Sequence, residues 1–213
     1  MPTRRVYRPV LTPDEASQLL TEYGNGAAWT QHCIAVADAA VKVGARLGPR
    51  RAVDLDFLRS AALLHDIGRY VTHDPVRHGV EGYALLTKLG HEEEAHVCAS
   101  HILFGLDAAE AERFGLPARD FLPRSTEERL VPLVDYLIET DVPTTLDLRF
   151  SSLRERNAEN PFFLSRLERA YHSAGSFMAE IDGLIGDPVE AIVASVATAA
   201  RLNQVGDEPG ERP

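Results

Sequence analysis

Long apolar runs are missing from this sequence of 213 residues. The longest weakly polar stretch, Pro188 to Leu202, is alanine-rich and shorter than the roughly 20 apolar residues that a membrane-spanning helix needs. No apolar segment follows the basic residues of Met1 to Arg8, as one would in a secretory signal peptide. We therefore expect a cytoplasmic protein without a membrane partner.

Cysteine and basic residues are also scarce. The two cysteines, Cys33 and Cys98, lie within apolar helical patterns, which favours two buried free thiols over one disulfide. The 22 Lys and Arg residues are outnumbered by 32 Asp and Glu residues, and the formal net charge is -10. Proteins that follow a nucleic-acid backbone neutralise its phosphates with Lys and Arg, so we expect no nucleic-acid partner. A small phosphorylated substrate needs only a local cation or a metal and is compatible with this charge.

Apolar residues recur at helical spacing along almost the whole chain. The predicted helices run from about Thr12 to Tyr23, Thr30 to Leu47, Asp54 to Leu64, Val80 to Leu89, Glu92 to Ile102, Thr126 to Ile138, Pro161 to Leu184 and Pro188 to Arg201. No run of alternating residues is long enough for a sheet, so the predicted fold class is all-α, a helical bundle. We assign residues 1–205 to a single domain and residues 206–213 to a disordered tail. Segment Gly105 to Arg124 is typical of a short helix with a long connection, where a substrate lid could lie.

The adjacent residues His65 and Asp66 carry the first chemical signal. They follow the stretch Leu58 to Leu64, which is hydrophobic nearly all round and predicts a helix buried inside the domain. A buried imidazole and carboxylate are costly unless something pairs with them. A divalent metal ion fits, because both groups are metal ligands. Adjacent residues on a helix point about 100° apart, so both can reach one ion only where the helix ends, and Gly68 supplies that end.

Two further residues extend the pattern. His32 lies near the start of an apolar helix, and Asp135 is a lone acid within the apolar stretch Leu130 to Ile138. Taken singly, such a histidine is usually a cap or a surface residue, and such an acid usually pairs with an arginine. Taken in order, a histidine, a His-Asp pair and a late aspartate indicate a metal site.

These four positions resemble the HD superfamily of helical metal-dependent phosphohydrolases, and His65-Asp66-Ile67-Gly68 resembles its HDIG variant. The resemblance extends from about Thr30 to Asp141 and implies that the single domain is an HD domain. Superfamily members with two metals place two more histidines between the doublet and the last aspartate, where this chain has His78 and His101. The resemblance implies one or two divalent ions of iron, manganese, cobalt, nickel, zinc or magnesium. The ligands of two ions would be His32, His65, Asp66, His78, His101 and Asp135. A single ion would be held by His32, His65, Asp66 and Asp135.

The implied activity is hydrolysis of a phosphate ester or anhydride of a nucleotide, or of another small phosphorylated metabolite, by a metal-activated hydroxide. Asp66 would bridge the two ions. Arg69 could face the phosphate or the solvent. His73 could donate a proton to a substrate phosphate or a leaving group, or simply lie in the loop before His78. The segment Glu128 to Glu139 also resembles HD-type hydrolases that split diadenosine tetraphosphate symmetrically.

Two other functions are compatible with the same ligands. Some HD proteins bind a mixed-valence di-iron centre and activate oxygen, and a degenerate HD domain could serve ligand sensing. Retention of all the candidate ligands argues against the degenerate form. The alanine-rich helix from Pro188 to Arg201 could pack against a second copy, so a homodimer is also open.

The remaining histidines are expected to be structural. His91 and His96 lie among Glu92, Glu93 and Glu94 and predict a solvated helix face, and His172 lies beyond the motif region. His73 and Asp74 form a second His-Asp pair. They precede Pro75 in a loop without a buried helix, so we do not take Asp74 as a ligand.

Overall fold

The computed structural model describes residues 11–196, and helices make up most of this range. Its α-helices in chain order are α1 (Pro13–Gly24), α2 (Trp29–Leu47), α3 (Leu55–Leu64), α4 (Arg77–Leu89), α5 (Glu92–Ser100), α6 (Ala108–Arg113), α7 (Thr126–Tyr136), α8 (Leu146–Arg156) and α9 (Pro161–Ile185). Two 3-10 turns occur at Ile67–Tyr70 and Ile102–Phe104, and β1 (Ile138–Glu139) pairs antiparallel with β2 (Val142–Pro143). Residues 189–196 are again helical. The all-α prediction is confirmed.

Some sequence predictions fall partly or wholly outside the described residues. The tail predicted at 206–213 lies outside them, and so does the end of the helix predicted at 188–201. Within 11–196, Cys33 and Cys98 are buried free thiols, as predicted. The helices of this same range are all too short or too polar to cross a bilayer.

Capping residues define α1 where the sequence placed it. The Thr12 side chain accepts a hydrogen bond from Glu15 N, and the Glu15 carboxylate accepts one from Thr12 N at 2.9 Å. Pro13 occupies the first turn, where its missing N–H is no loss. Asn25 ends the helix in the left-handed conformation at a φ of 41°.

Helix α3 lies in the middle of the core. Leu58, Ala62 and Leu64 are fully buried, and the helix packs against α1, α2, α5 and α7. This burial on all sides confirms the buried helix predicted from its apolar residues. Because the helix is enclosed in this way, His65, which caps its C-terminus, lies at the centre of the domain.

Gly68 allows two backbone segments to come into contact just after α3. A Cβ atom at this position would lie 1.9 Å from the His78 carbonyl oxygen and 2.5 Å from Gly82 N. Only a residue without a side chain permits this approach. It brings the first turn of α4, which carries His78, against the 3-10 turn that follows Asp66.

Helix α8 and the β-ribbon were missed by the sequence analysis. The Thr145 side chain caps α8 by accepting a hydrogen bond from Leu148 N at 3.3 Å. Leu146 and Phe150 are the fully enclosed residues of this arginine-rich helix, so its apolar periodicity is weak. Each strand of the ribbon has two residues, which is too short for an alternating pattern to be recognised.

The predicted exposure of His96 and its acidic neighbours was wrong in part. His96 is 5% exposed, stacks on Phe121 at a centroid distance of 5.7 Å and donates to the Leu122 carbonyl at 3.1 Å. Glu94 is 2% exposed and accepts a hydrogen bond from Leu11 N at 3.1 Å. Both side chains are covered by segments distant in the sequence, which helical periodicity does not reveal.

The segment Gly105 to Arg124 contains a short helix, α6, as predicted. Backbone hydrogen bonds of 3.0 and 2.8 Å join Leu106 to Phe121, so the two ends of the segment are tied together. Phe121 is fully buried. A lid function for this segment stays a prediction.

We predict that Gly68→Ala destabilises the protein by about 3 kcal/mol, because the added methyl group meets backbone atoms that cannot move aside. Urea denaturation of the metal-free protein would measure the change. Gly183→Ala is the matched control. No atom lies within 4 Å of a Cβ at this α9 position among the described residues, so the change should stabilise by about 0.5 to 1 kcal/mol. Equal midpoints for the two variants would contradict the prediction.

Candidate metal centre

The structure brings together all six residues that the sequence analysis selected as metal ligands. Each lies at or next to the end of a helix, so five helices converge on one point. His32 is in the first turn of α2, His65 caps the C-terminus of α3 and is followed by Asp66, His78 is in the first turn of α4, His101 caps the C-terminus of α5, and Asp135 is in the last turn of α7. The four histidines and Asp66 are buried, and the Asp135 side chain is 14% exposed.

One group of ligand atoms is formed by His32, His65 and Asp135. His32 Nε2 lies 2.9 Å from Asp135 Oδ1, and His65 Nε2 lies 3.8 Å from the same oxygen. One ligand atom from each residue lies within 4.8 Å of the other two. This spacing suits three ligands that surround one ion.

A second group is centred on Asp66. Its Oδ1 lies 2.9 Å from His78 Nε2 and 3.5 Å from His101 Nε2, and these two nitrogens are 3.2 Å apart. The other carboxylate oxygen, Oδ2, lies 3.9 Å from His65 Nε2. Asp66 therefore lies between the two groups and presents a different oxygen to each.

The backbone fixes which nitrogen of each imidazole faces the centre. In all four histidines Nδ1 lies next to a main-chain carbonyl oxygen, at 2.7 Å in three cases and 3.3 Å for His101; the acceptors are Thr140, Ala62, Asp74 and Val97. A carbonyl oxygen only accepts, so Nδ1 carries a hydrogen, and Nε2 is the nitrogen that faces the centre. This arrangement is typical of histidines that ligate metals.

Burial and the pairing of histidines with aspartates set the charges in the centre. Burial lowers the pKa of His65 to about 4, so this ring is neutral at neutral pH. Burial also opposes charge on His32, but the hydrogen bond and the charge of Asp135 outweigh it and raise the pKa of His32. Burial disfavours ionisation of Asp66 and Asp135, yet the neighbouring histidines lower the pKa of both carboxyl groups. Both carboxylates are therefore ionised.

These residues fit a divalent metal ion. His65 Nε2 is fully buried and has no hydrogen-bond partner within residues 11–196, although its lone pair points at the carboxylates. A cation among these atoms would satisfy the nitrogen and balance the charge of the two aspartates. Imidazole and carboxylate ligands suit several first-row metals and do not select one of them.

Arg69, one of the two other predicted site residues, lies at this centre. Its Nε donates to Asp66 Oδ2, and its side chain is 27% exposed. Burial lowers the pKa of Arg69, but Asp66 outweighs that effect and the pKa is raised. The guanidinium is thus a permanent positive charge at the edge of the centre.

His73 lies on the exposed loop before α4, and among the described residues no hydrogen bond or ion pair involves its side chain. Its role as a proton donor stays a prediction. The neighbouring Asp74 was set aside as a ligand, yet it supports the centre in another way. Its carboxylate accepts hydrogen bonds from Val76 N and Arg77 N, and its carbonyl holds His78 Nδ1. A turn-forming aspartate before a proline was the available signal for this capping role.

A family model described as the HD domain matches residues 29–139 of this chain. The chain therefore belongs to the HD-domain family, whose members are generally metal-dependent phosphohydrolases. The matched region begins with α2 and ends at β1, so it contains all six residues of the centre.

Curated relatives are similar over parts of the chain. An uncharacterized protein of Methanocaldococcus jannaschii is 34% identical over 139 residues, which are 64% of this chain and 82% of that protein. A tRNA (cytidine(56)-2'-O)-methyltransferase of Thermoplasma volcanium is 28% identical over 75% of this chain, and one of Picrophilus torridus is 30% identical over 49%. The chain spans 46% and 30% of the length of these two methyltransferases. No solved structure matches.

We predict that the wild-type chain binds about two equivalents of Mn²⁺ or Co²⁺, because ligand atoms lie on both sides of Asp66, with His78 near one carboxylate oxygen and His65 near the other. Asp66→Ala should bind at most one ion, at His32, His65 and Asp135, and Asp135→Ala should keep about one, since it leaves the group around Asp66 intact. Dialysis of metal-free protein followed by elemental analysis would count the ions. His172→Ala, a change of an exposed histidine, is the control. An Asp66→Ala protein that is folded by circular dichroism and still binds two ions would disprove this assignment.

Proposed function

We propose that this chain is a metal-dependent phosphohydrolase that cleaves a phosphate ester or anhydride of a small phosphorylated metabolite, with nucleotides as the substrate class. The supporting observation is the orientation of four buried imidazoles, whose Nε2 atoms all face two ionised aspartates. Among the described residues the buried His65 Nε2 has no hydrogen-bond partner, and a bound cation would supply one. The HD-domain match supports the same class of activity.

Each residue of the centre has a defined part in this proposal. His32, His65 and Asp135 would hold one ion, and His78 and His101 the other, with Asp66 offering one oxygen to each. When bound, such ions lower the pKa of water and neutralise charge on phosphoryl oxygens. The carbonyl groups that fix the Nδ1 atoms keep the imidazoles in the ligating tautomer throughout.

Arg69 is proposed to contact the scissile phosphoryl group. Its Nε is engaged with Asp66 Oδ2, while its side chain is partly exposed and its other N–H groups are available. A guanidinium in this position can neutralise charge that develops on phosphoryl oxygens. His73 remains a proposed proton donor to the leaving group.

The proposed substrate class is supported by the sequence and by the net charge of the chain. The segment Glu128 to Glu139, which resembles HD-type hydrolases of diadenosine tetraphosphate, supports a nucleotide substrate of the dinucleoside polyphosphate type. Two relatives are named for methylation of a tRNA, but this chain covers less than half of either one. A net charge of -10 favours a small substrate over a nucleic-acid surface.

We predict that the manganese-loaded protein releases phosphate or a nucleoside phosphate from at least one nucleotide in a screen. Asp66→Asn should lower kcat by about a thousandfold or more, because it removes the shared charge. Arg69→Gln should lower kcat/KM by about tenfold to a hundredfold.

Arg46→Gln is the matched control for Arg69→Gln. Position 46 is 14 residues beyond His32 on the same helix, or about 21 Å along its axis, and the Arg46 side chain forms an exposed ion pair with Asp187. This change should leave kcat/KM unchanged. Oxygen consumption by an iron-loaded protein that releases no phosphate would reject the hydrolase in favour of an oxygenase.

A further inference from the structure

Beside the metal centre, three buried side chains carry hydrogen-bond donors without acceptors. The Tyr136 hydroxyl, Arg149 Nε and Arg166 Nη1 are enclosed and form no hydrogen bond with any residue of the described part of the chain. Tyr136 is 4% exposed and Arg166 is 5% exposed. A buried donor that lacks an acceptor costs free energy, so three in one region require an explanation.

The three side chains come from different helices and converge. The Tyr136 ring, at the end of α7, packs on Phe150 of α8 at a centroid distance of 4.6 Å, and Arg149 directly precedes Phe150. Arg166 lies on α9, which packs against both α7 and α8.

The nearest acids do not neutralise these arginines one for one. Glu139 pairs with Arg149 at 3.3 Å, but it also pairs with Arg156 at 3.0 Å and accepts a hydrogen bond from Ser152. One carboxylate thus serves two arginines.

The same sharing occurs around Arg166. Glu110 pairs with Arg166 Nε at 3.0 Å and lies 3.8 Å from Arg169, and it also accepts a hydrogen bond from Asp107 N. Asp107 itself caps α6. Glu110 and Glu139 are thus each shared between two arginines.

This region is connected to the metal centre by sequence neighbours and by a hydrogen bond. Tyr136 directly follows Asp135 in the last turn of α7. Arg166 donates to the carbonyl of Gly105, which ends the 3-10 turn that begins just after His101. Leu103 and Phe104 in this turn have φ values of 50° and 60°, a left-handed conformation that is costly for residues with side chains.

We propose that Tyr136, Arg149 and Arg166 form an anion subsite that holds a second, non-scissile phosphate group of the substrate. Three donors without acceptors, two of them on guanidinium groups, complement the several oxygens of a phosphate. The proposal rests on the proposed phosphohydrolase function and narrows it: the substrate carries at least two phosphate groups, as a nucleoside polyphosphate or a bisphosphate does. The metal centre acts on one phosphate and the subsite positions the other.

Binding of inorganic phosphate to the metal-free full chain tests the subsite independently of catalysis. Isothermal titration calorimetry at fixed ionic strength should show phosphate binding by wild type, weakened about tenfold by Arg149→Gln and by roughly threefold to tenfold in Tyr136→Phe. His65→Ala, which alters the metal centre, and Arg154→Gln, an exposed arginine of α8 paired with Glu168, should bind as wild type does. No phosphate binding by wild type, or equal binding in all the variants, would overturn the subsite.

Tyr136→Phe also separates ligand binding from a structural role. The hydroxyl has no acceptor within the described residues, so its removal should leave the unfolding midpoint unchanged or raised while phosphate binding weakens. A lowered midpoint with unaltered phosphate affinity would assign the hydroxyl to structure instead.

Turnover by the metal-loaded chain distinguishes failure of the subsite from failure of the proposed function. Arg149→Gln should raise KM about tenfold for a nucleoside diphosphate or triphosphate and leave KM for p-nitrophenyl phosphate unchanged. Equal effects on both substrates would remove the subsite and keep the hydrolase. Absence of hydrolysis by wild type, together with phosphate binding that depends on Arg149, would remove the hydrolase and keep the anion subsite.

Discussion

Two ionised carboxylates inside an apolar core are the constraint on which this structure depends. Asp66 follows a helix that is enclosed on all sides, and Asp135 ends another helix of the same core. Burying such charges is unfavourable unless positive charge or metal accompanies them. Five helices therefore begin or end at this point. Their histidines, together with Arg69, surround the carboxylates. The end of α3 also explains the orientation of His65, because a carbonyl in the last turn of a helix lacks an intrahelical partner and Ala62 can accept from Nδ1.

The sequence was sufficient to predict the helical class and to select the six residues that the structure brings together. Their signals were local: an apolar helix that ends in His65 and Asp66, and an acid at position 135 within an apolar stretch. The missing information concerned contacts between distant segments. The sequence of helix α8 resembles a charged, solvent-exposed segment, because few of its residues are buried. Helical periodicity could not show that residues distant in sequence cover His96, or that backbone carbonyls orient the four imidazoles.

The metal centre and the proposed anion subsite come from different parts of the chain. Residues 29–139, which match the HD-domain model, supply every member of the metal centre and Tyr136. Helices α8 and α9, which supply Arg149 and Arg166, follow that region. The proposed function therefore assigns reaction chemistry and substrate choice to different segments. Under this proposal, changes in the helices after residue 139 would alter which phosphorylated compound is accepted without moving the residues of the metal centre.

The contact at Gly68 has a consequence for how related sequences are interpreted. The His78 carbonyl lies where a side chain at position 68 would begin, so the size of that residue sets how closely α4 approaches. A homologue with a larger residue there would have to withdraw α4 and, with it, the histidine equivalent to His78. The residue at this position would then indicate whether a homologue can place a histidine at the second ligand group. It would do so although a glycine cannot itself bind metal through a side chain.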